Sequence, residues 1–79
     1  MRPVHPGEIL REDYLVPLEM SANALSKALH VPAPRINDIV RERRGVTADT
    51  DLRLCRFLGL SDGYWLRAQA AHDTEVARA

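Results

Sequence analysis

The chain has a single cysteine, Cys55, so it lacks an internal disulfide and the cysteine pairs that zinc sites use. Cys55 lies in the apolar stretch LRLCRFLGL, which predicts a small buried core residue. No apolar run approaches the roughly 18 residues that a membrane-spanning helix needs. The N-terminal MRPVHPGEIL lacks the apolar core of a secretory signal peptide. These absences argue against a secreted, disulfide-bonded protein and a membrane protein, and we expect a cytoplasmic location.

The chain is also short and carries no net charge. Its 79 residues predict one small domain, and a chain of this size buries only about 60% of the surface that it exposes when unfolded. Dimerisation is one way to add buried apolar surface. Eleven basic residues balance eleven acidic residues, which at first argues against a nucleic-acid partner.

The distribution of these charges, however, argues for a nucleic-acid partner. Residues 1–20 contain two arginines and four acidic residues, a net charge of −2. Residues 21–44 contain five basic and two acidic residues, a net charge of +3. Residues 45–79 contain four arginines and five acidic residues, a net charge of −1. Positive charge is concentrated in the middle segment, as expected for a nucleic-acid contact surface.

This middle segment, SANALSKALHVPAPRINDIVRERR at residues 21–44, has the pattern of a helix-turn-helix. Apolar residues recur at helical spacing in both of its halves: Leu25, Ala28 and Leu29, then Ile36, Ile39 and Val40. A tight turn at His30–Val31 separates the halves. In such a motif the second helix packs its apolar side on the first and offers polar side chains to the DNA major groove.

Helix signals continue along the rest of the chain, and no strand signal interrupts them. A first helix is predicted to start near Pro6 and to stop before Pro17, and Ser21 caps the second. The third begins around Pro32 and Pro34 and ends before Gly45. Thr47 caps a fourth helix, whose apolar stripe includes Leu52, Cys55 and Leu58, with Leu54 and Phe57 beside them. Ser61 caps a fifth over about 62–73, and residues 74–79 form a frayed tail. The prediction is an all-α single domain, 1–79, of about five short helices.

The polar side of the third helix supplies the candidate base-reading residues. Because a recognition helix enters the groove by its N-terminal end, these are Ala33, Pro34, Arg35, Asn37 and Asp38. Arg35 suits a bidentate contact with guanine and Asn37 one with adenine, whereas Ala33 and Pro34 offer only apolar contact. In the competing interpretation, Arg35, Asp38 and Arg41 pair along an exposed helix at a spacing of three residues.

A second group of polar residues suits contacts with DNA phosphates. Its members are Ser21, Asn23, Arg41, Arg43, Arg44 and Thr47. The first two lie where the free amides of a helix N-terminus attract anions, and the others lie at the end of the third helix and just beyond it. Phosphate contacts set affinity and register rather than sequence preference. The alternative for the arginines is a solvated basic helix end.

With these residues in view, the chain resembles a known family. Residues 20–44 resemble the helix-turn-helix of the lambda-repressor-like (XRE) superfamily, and the whole chain resembles the HigA-type, or VapI-like, antitoxins. The resemblance rests on four stretches that cover nearly all of the chain: HPGEIL at His5–Leu10, PLEMSANALSKALHVP at Pro17–Pro32, RINDIVRERRGVTADTDLRL at Arg35–Leu54 and RFLGLSDGYWLRAQAAHD at Arg56–Asp73.

The resemblance implies a dimeric, all-helical protein that binds palindromic double-stranded operator DNA in its own promoter. It also implies a HigB- or RelE-like ribonuclease toxin as partner, and no catalysis, no cofactor and no membrane association. The alternatives are a stand-alone XRE-family regulator without a toxin, and an inhibitor whose helix-turn-helix has lost its DNA affinity. The acidic first helix, with Glu8, Glu12 and Asp13, is a candidate toxin contact and equally a solvated face.

Three positions depart from the family pattern. Ala22 stands where many members have a phosphate-binding glutamine, and His30 occupies a turn position that often holds glycine. Pro32 replaces the usual capping serine or threonine, so the third helix lacks a side-chain cap.

Two further groups have competing interpretations. Trp65, Leu66, Gln69 and Ala70 are either part of a dimer interface or helix-docking core residues. His5, His30 and His72 stand in three segments without ligand spacing, so we expect neither a metal site nor a catalytic site among them.

Overall fold

A computed structural model describes residues 2–79, and the part of the chain that it describes is all-helical. Helix α1 (Pro6–Ile9) continues directly into a π-helical segment (Leu10–Leu15). The remaining helices are α2 (Ala22–Leu29), α3 (Ala33–Val40), α4 (Ala48–Leu58) and α5 (Tyr64–Arg78). The predicted fold class is therefore confirmed. Between residues 2 and 79, no helix is both long and apolar enough to cross a membrane.

The N-terminal helix begins and ends where its prolines predict. Pro6 occupies the first turn, and the Nδ1 atom of His5 caps it by accepting a hydrogen bond of 2.9 Å from the amide of Gly7. The π-helical turns were not predicted from the sequence. They end at Leu15, before Pro17.

The helix-turn-helix forms as predicted, with one difference at its end. Ser21 caps α2 by accepting a hydrogen bond of 3.0 Å from Ala24, and His30 adopts the left-handed conformation with φ of 58°. Pro32 precedes α3 without a side-chain cap. Helix α3 ends at Val40 rather than just before Gly45, because Glu42 takes a left-handed conformation (φ 62°) that cannot continue a helix.

The core is built from one side of each helix. Its fully buried members are Leu10, Leu25, Ile36, Ile39, Leu54, Cys55 and Trp65. The prediction for Cys55 is confirmed. The prediction for the stripe of α4 is partly wrong, since Leu52 and Phe57 are 39% and 44% exposed. The buried side of α4 is instead formed by Thr50, Asp51, Leu54 and Cys55.

The caps predicted for the last two helices are corrected by the structure. Thr47 holds the N-cap position of α4 but makes no side-chain capping hydrogen bond. Ser61 does not cap α5, which begins at Tyr64. The buried carboxylate of Asp51, on α4, accepts hydrogen bonds of 2.8 Å from the amides of Gly63 and Trp65 and so satisfies the start of α5. Asp51, a residue of α4, thus makes the capping hydrogen bonds that the sequence pattern assigned to Ser61.

Helix α5 is longer than the sequence suggested. It continues to Arg78 through the residues predicted as a frayed tail, and an ion pair of 2.9 Å joins Arg78 to Glu75 at its end. The spacing of three residues places these two side chains on the same side of the helix, which stabilises its last turn.

Gly7 allows α1 to approach the end of α3. A Cβ atom at this position would lie 1.7 Å from the carbonyl oxygen of Ile39, so backbone would have to move. We expect Gly7→Ala to lower the free energy of unfolding by about 1–3 kcal/mol, measured by urea denaturation. Gly45→Ala is the comparison variant and is expected to cost less, because its Cβ would lie 3.0 Å from the Gln69 side chain and not against backbone. Equal stability of both variants would contradict the close approach.

His5 and His72 come together although the sequence places them far apart. Their rings meet edge to face with centroids 4.9 Å apart. Between residues 2 and 79, no group of three His, Cys, Asp or Glu side chains is arranged to hold a metal ion. Burial, and then the proximity of His72, lower the pKa of His5 from its ordinary value of 6.5, against the opposing charges of Glu42 and Asp73.

This lowered pKa predicts that the fold is less stable in mild acid. Unfolded His5 binds a proton more readily than folded His5, so stability is lost as pH falls below about 6.5 toward the folded pKa. We expect the free energy of unfolding to decrease between about pH 7.5 and about pH 5.5. His5→Asn retains a capping oxygen for α1 and removes the titration. A pH dependence that is identical in this variant would show that His5 is not its source.

Candidate nucleic-acid interface

The N-terminal half of α3 presents its polar side to solvent. Ile36, Ile39 and Val40 are buried against α1 and α2, while Ala33 and Pro34 are exposed. Arg35, Asn37 and Asp38 are half-buried because their stems pack at the edges of the helix. All five candidate base-reading residues are therefore at least partly accessible to solvent, and their role in reading bases stays a prediction.

Arg35 is held in place by α4 rather than by its own helix. Its Nη1 atom lies 3.1 Å from the Oδ2 atom of Asp49, in the first turn of α4. The predicted alternative, in which Arg35 pairs with Asp38, is not what forms. Asp49 also accepts a hydrogen bond of 3.1 Å from Arg53, which in turn donates to the carbonyl oxygen of Leu29 at 2.7 Å. This network orients the guanidinium of Arg35 toward the start of α4, although an exposed ion pair of this kind contributes only about 0–1 kcal/mol.

Asn37 is held by α2. Its Nδ2 atom donates to the Oδ1 atom of Asn23 at 2.8 Å and to the carbonyl oxygen of Ala33 at 2.9 Å. Both amide hydrogens are used, so only the Oδ1 atom of Asn37 is free to face a base. In this arrangement Asn37 is set to accept a hydrogen bond from cytosine N4 or adenine N6. A bidentate contact with adenine, as the sequence suggested, first requires the Asn23 bond to break.

The turn after α3 carries the exposed arginines. Arg41 and Arg43 are exposed and have no acidic partner within 4 Å in the described chain, whereas Arg44 lies 4.0 Å from Asp38. Asp38 therefore pairs with a residue outside α3, and not with Arg35 or Arg41 as the competing interpretation predicted. Exposed arginines at the edge of a recognition helix are well suited to phosphate oxygens.

The remaining phosphate candidates flank this surface. Ser21 uses its oxygen to cap α2, and its hydroxyl proton stays available to a phosphate. Asn23 is tied to Asn37, and Thr47 is exposed at the start of α4. Ala22 is half-buried against the core. A cleft of about 710 Å³ lies beside Thr47 and is lined by Arg35, Arg44, Asp49 and Gln69 among others.

The residues suggested for a dimer interface divide into two pairs. Trp65 is fully buried in the core, and Gln69 is half-buried and accepts a hydrogen bond of 2.9 Å from the Val46 amide. Trp65 thus fills the core role that was one of the two interpretations, and the dimer contact of Gln69 stays a prediction. Leu66, 37% exposed, and Ala70 stay accessible on α5.

Sequence reasoning missed Asp49 and Arg53 as partners of the recognition helix. Their spacing of four residues on one helix was a readable signal for the pair between them. The bond from Asp49 to Arg35 crosses between two helices, and no local pattern predicts it.

Known proteins share this arrangement of helices. No family model matches the sequence. Virulence-associated protein I of Dichelobacter nodosus is 58% identical over 77 residues, which cover 98% of this chain and 71% of that protein. The structure of the Pseudomonas aeruginosa antitoxin HigA with the higBA promoter matches with a TM-score of 0.94 and 46% identity, over 96% of this chain and 83% of that one. This chain belongs to the family of HigA antitoxins and VapI-like helix-turn-helix regulators.

A further HigA-like structure extends the comparison. Antitoxin GraA in complex with its operator matches with a TM-score of 0.91 and 49% identity, over 98% of this chain and 78% of that one. The resemblance inferred from the sequence is thereby confirmed. Two of these structures are described as solved with promoter or operator DNA, and they cover 96% and 98% of this chain.

Proposed function

We propose that this protein is the antitoxin of a type II toxin–antitoxin system, which binds a HigB/RelE-like ribonuclease toxin and represses its own operon by binding operator DNA. The observation that carries the proposal is the likeness, over nearly the whole chain, to an antitoxin solved with its own promoter. The exposed polar side of α3 supplies a surface for such a contact. The protein then acts by binding, in the cytoplasm, without a catalytic step of its own.

Base reading is assigned to the start of α3 and phosphate binding to its surroundings. Arg35 is the guanine reader, Asn37 and Asp38 accept hydrogen bonds from bases, and Ala33 and Pro34 give apolar contacts. The phosphate contacts are Ser21, Asn23, Arg41, Arg43, Arg44 and Thr47. Three supports favour this division: the accessibility of these residues, the concentration of positive charge in residues 21–44, and the two networks that orient Arg35 and Asn37.

The experiment that tests the function measures binding of the purified protein to its own upstream promoter DNA across a salt series. A scrambled duplex of equal length is the control. We expect preferential binding to the promoter, with affinity falling as salt rises because phosphate contacts release counterions. Equal binding to both duplexes would contradict repression. A toxin-sized reading frame beside the gene, whose product binds the protein, separates the antitoxin from a stand-alone regulator.

We also expect a homodimer at micromolar concentration, because a palindromic operator presents two half-sites and each needs its own recognition helix. Of the four residues predicted for such a contact, Leu66 and Ala70 are exposed on α5. Analytical ultracentrifugation tests this directly, with Leu66→Lys as the disrupting variant and Val76→Lys as the matched control on the same helix. An 8.9 kDa species alone, both free and bound to DNA, would contradict the dimer.

A further inference from the structure

A groove lies between the π-helical segment with its following turn and the end of α4. Its volume is about 480 Å³. Its apolar walls are Tyr14, Pro17, Leu18 and Met20 on one side and Phe57 and Leu58 on the other. None of these residues is among the proposed DNA contacts, so the groove is a second surface that a partner can occupy independently of the operator.

The apolar residues at the groove are unusually accessible. Leu18 is 54% exposed and Phe57 is 44% exposed, and Val16, in the same turn as Leu18, is 62% exposed. Large apolar side chains clustered at a concave surface are typical of protein-binding sites, because water contact there is unfavourable. Phe57, which the sequence placed beside the apolar stripe of α4, lines this groove.

The walls of the groove are rigid. In the turn at residues 16–20, the amides of Leu18 and Met20 donate to the carbonyl oxygens of Tyr14 and Leu15 at 3.0 Å. The ring of Tyr14 packs edge to face on Trp65, with centroids 5.4 Å apart. The site is therefore formed before a partner binds, which lowers the entropic cost of association.

The acidic residues near the groove lie on the side of the π-helical segment and its following turn, whereas the exposed Arg56 adjoins Phe57 on the side of α4. Residues 12–20 contain three acidic residues and no lysine or arginine. Asp13, on the rim, and Glu19, in the turn, have no basic partner within 4 Å in the described part of the chain, whereas Glu8 is paired with Arg2. The π-helical segment and α4 both end at the groove, and helix C-termini carry partial negative charge. The groove thus suits a cationic partner.

We propose that this groove is the docking surface for the ribonuclease toxin, which inserts an apolar side chain flanked by lysine or arginine. The assignment rests on the antitoxin function proposed above. Enzymes that bind RNA carry positive charge to hold phosphates, which complements Asp13 and Glu19. A second copy of this chain fits less well, because a twofold contact through the same groove sets the acidic rims against each other.

Titration calorimetry with the purified toxin encoded in the same operon tests the proposal. The groove variants are Leu18→Lys, which places a cation among the apolar walls, and Asp13→Lys, which reverses the rim charge. Their matched controls on α5 are Val76→Lys and Glu75→Lys, at exposed positions away from the groove. We expect about tenfold or greater loss of toxin affinity in each groove variant, and unchanged affinity in the controls.

Operator binding by each variant reports that the chain is folded. If the wild type binds the toxin and the groove variants bind it equally well, the docking surface lies elsewhere and the antitoxin function stands. If the wild type does not bind the toxin at all, the proposed function itself fails, and this assignment with it. If Leu18→Lys abolishes dimerisation but not toxin binding, the occupant is a second copy of the chain, and the proposal is wrong.

Discussion

Arg35→Ala is expected to weaken operator binding by about 2–6 kcal/mol, because a dimer loses one bidentate guanine contact of about 1–3 kcal/mol in each half-site. Binding to a scrambled duplex is expected to change far less. We expect this loss because the ion pair with Asp49 orients the guanidinium of Arg35 at the start of α3. Fluorescence anisotropy with the two duplexes measures both affinities.

Two further variants separate base reading from charge. Arg56→Ala removes the same charge from an exposed position on α4 and is the matched control. Asp49→Ala frees Arg35, so it is expected to raise affinity for the scrambled duplex and to lower the preference for the operator. Because Asp49 acts through Arg35, its effect on preference disappears in the double variant. If Arg35→Ala lowers the affinity for both duplexes equally, Arg35 contacts phosphate and does not read a base.

Asp51→Ala is expected to destabilise the fold by about 2–6 kcal/mol, since it leaves two N–H groups without a partner at about 1–3 kcal/mol each. Those groups are the amides of Gly63 and Trp65 at the start of α5. In a domain of this size each kcal/mol lowers the melting temperature by about 4–8 °C. Thermal denaturation followed by circular dichroism measures the shift.

Two control variants separate the hydrogen bonds of Asp51 from the size and the charge of its side chain. Asp51→Asn retains the size of the side chain but only one acceptor oxygen, so an intermediate loss is expected. Asp62→Ala removes an exposed carboxylate nearby and is expected to have little effect. A melting temperature for Asp51→Ala equal to that of the wild type would show that α5 is not held by this carboxylate.

Local patterns predicted the helices because the signals that set them are local. Ser21 begins α2 because its oxygen reaches an amide three residues on, and His30 ends it because the chain turns there in a left-handed conformation. Apolar spacing gave Ile36, Ile39 and Val40 as the buried side of α3. The π-helical turns and the end of α3 at Val40 depend on packing and on the conformation of Glu42, which no sequence pattern marks.

Helical spacing predicted burial least well in α4, where several neighbouring residues are similarly apolar. Leu52, Leu54, Cys55 and Phe57 are similarly apolar, and helical periodicity does not say which of them another helix covers. Trp65 is the same case: its sequence suits a dimer interface or a core, and the packing of Tyr14 against it decides for the core.

The sequence by itself determined the helix-turn-helix, the position of its turn, the cap at Ser21, the lack of a side-chain cap at Pro32, and the family to which the chain belongs. The structural features follow from residues within one or two helical turns of each other, and the family follows from stretches along nearly all of the chain. Only the tertiary structure decided that Asp49 orients Arg35, that Asn23 orients Asn37, that Asp51 caps α5, and that an apolar groove stays open beside α4. Those contacts join residues from different helices, so they exist only once the packing of the helices has fixed which side chains meet.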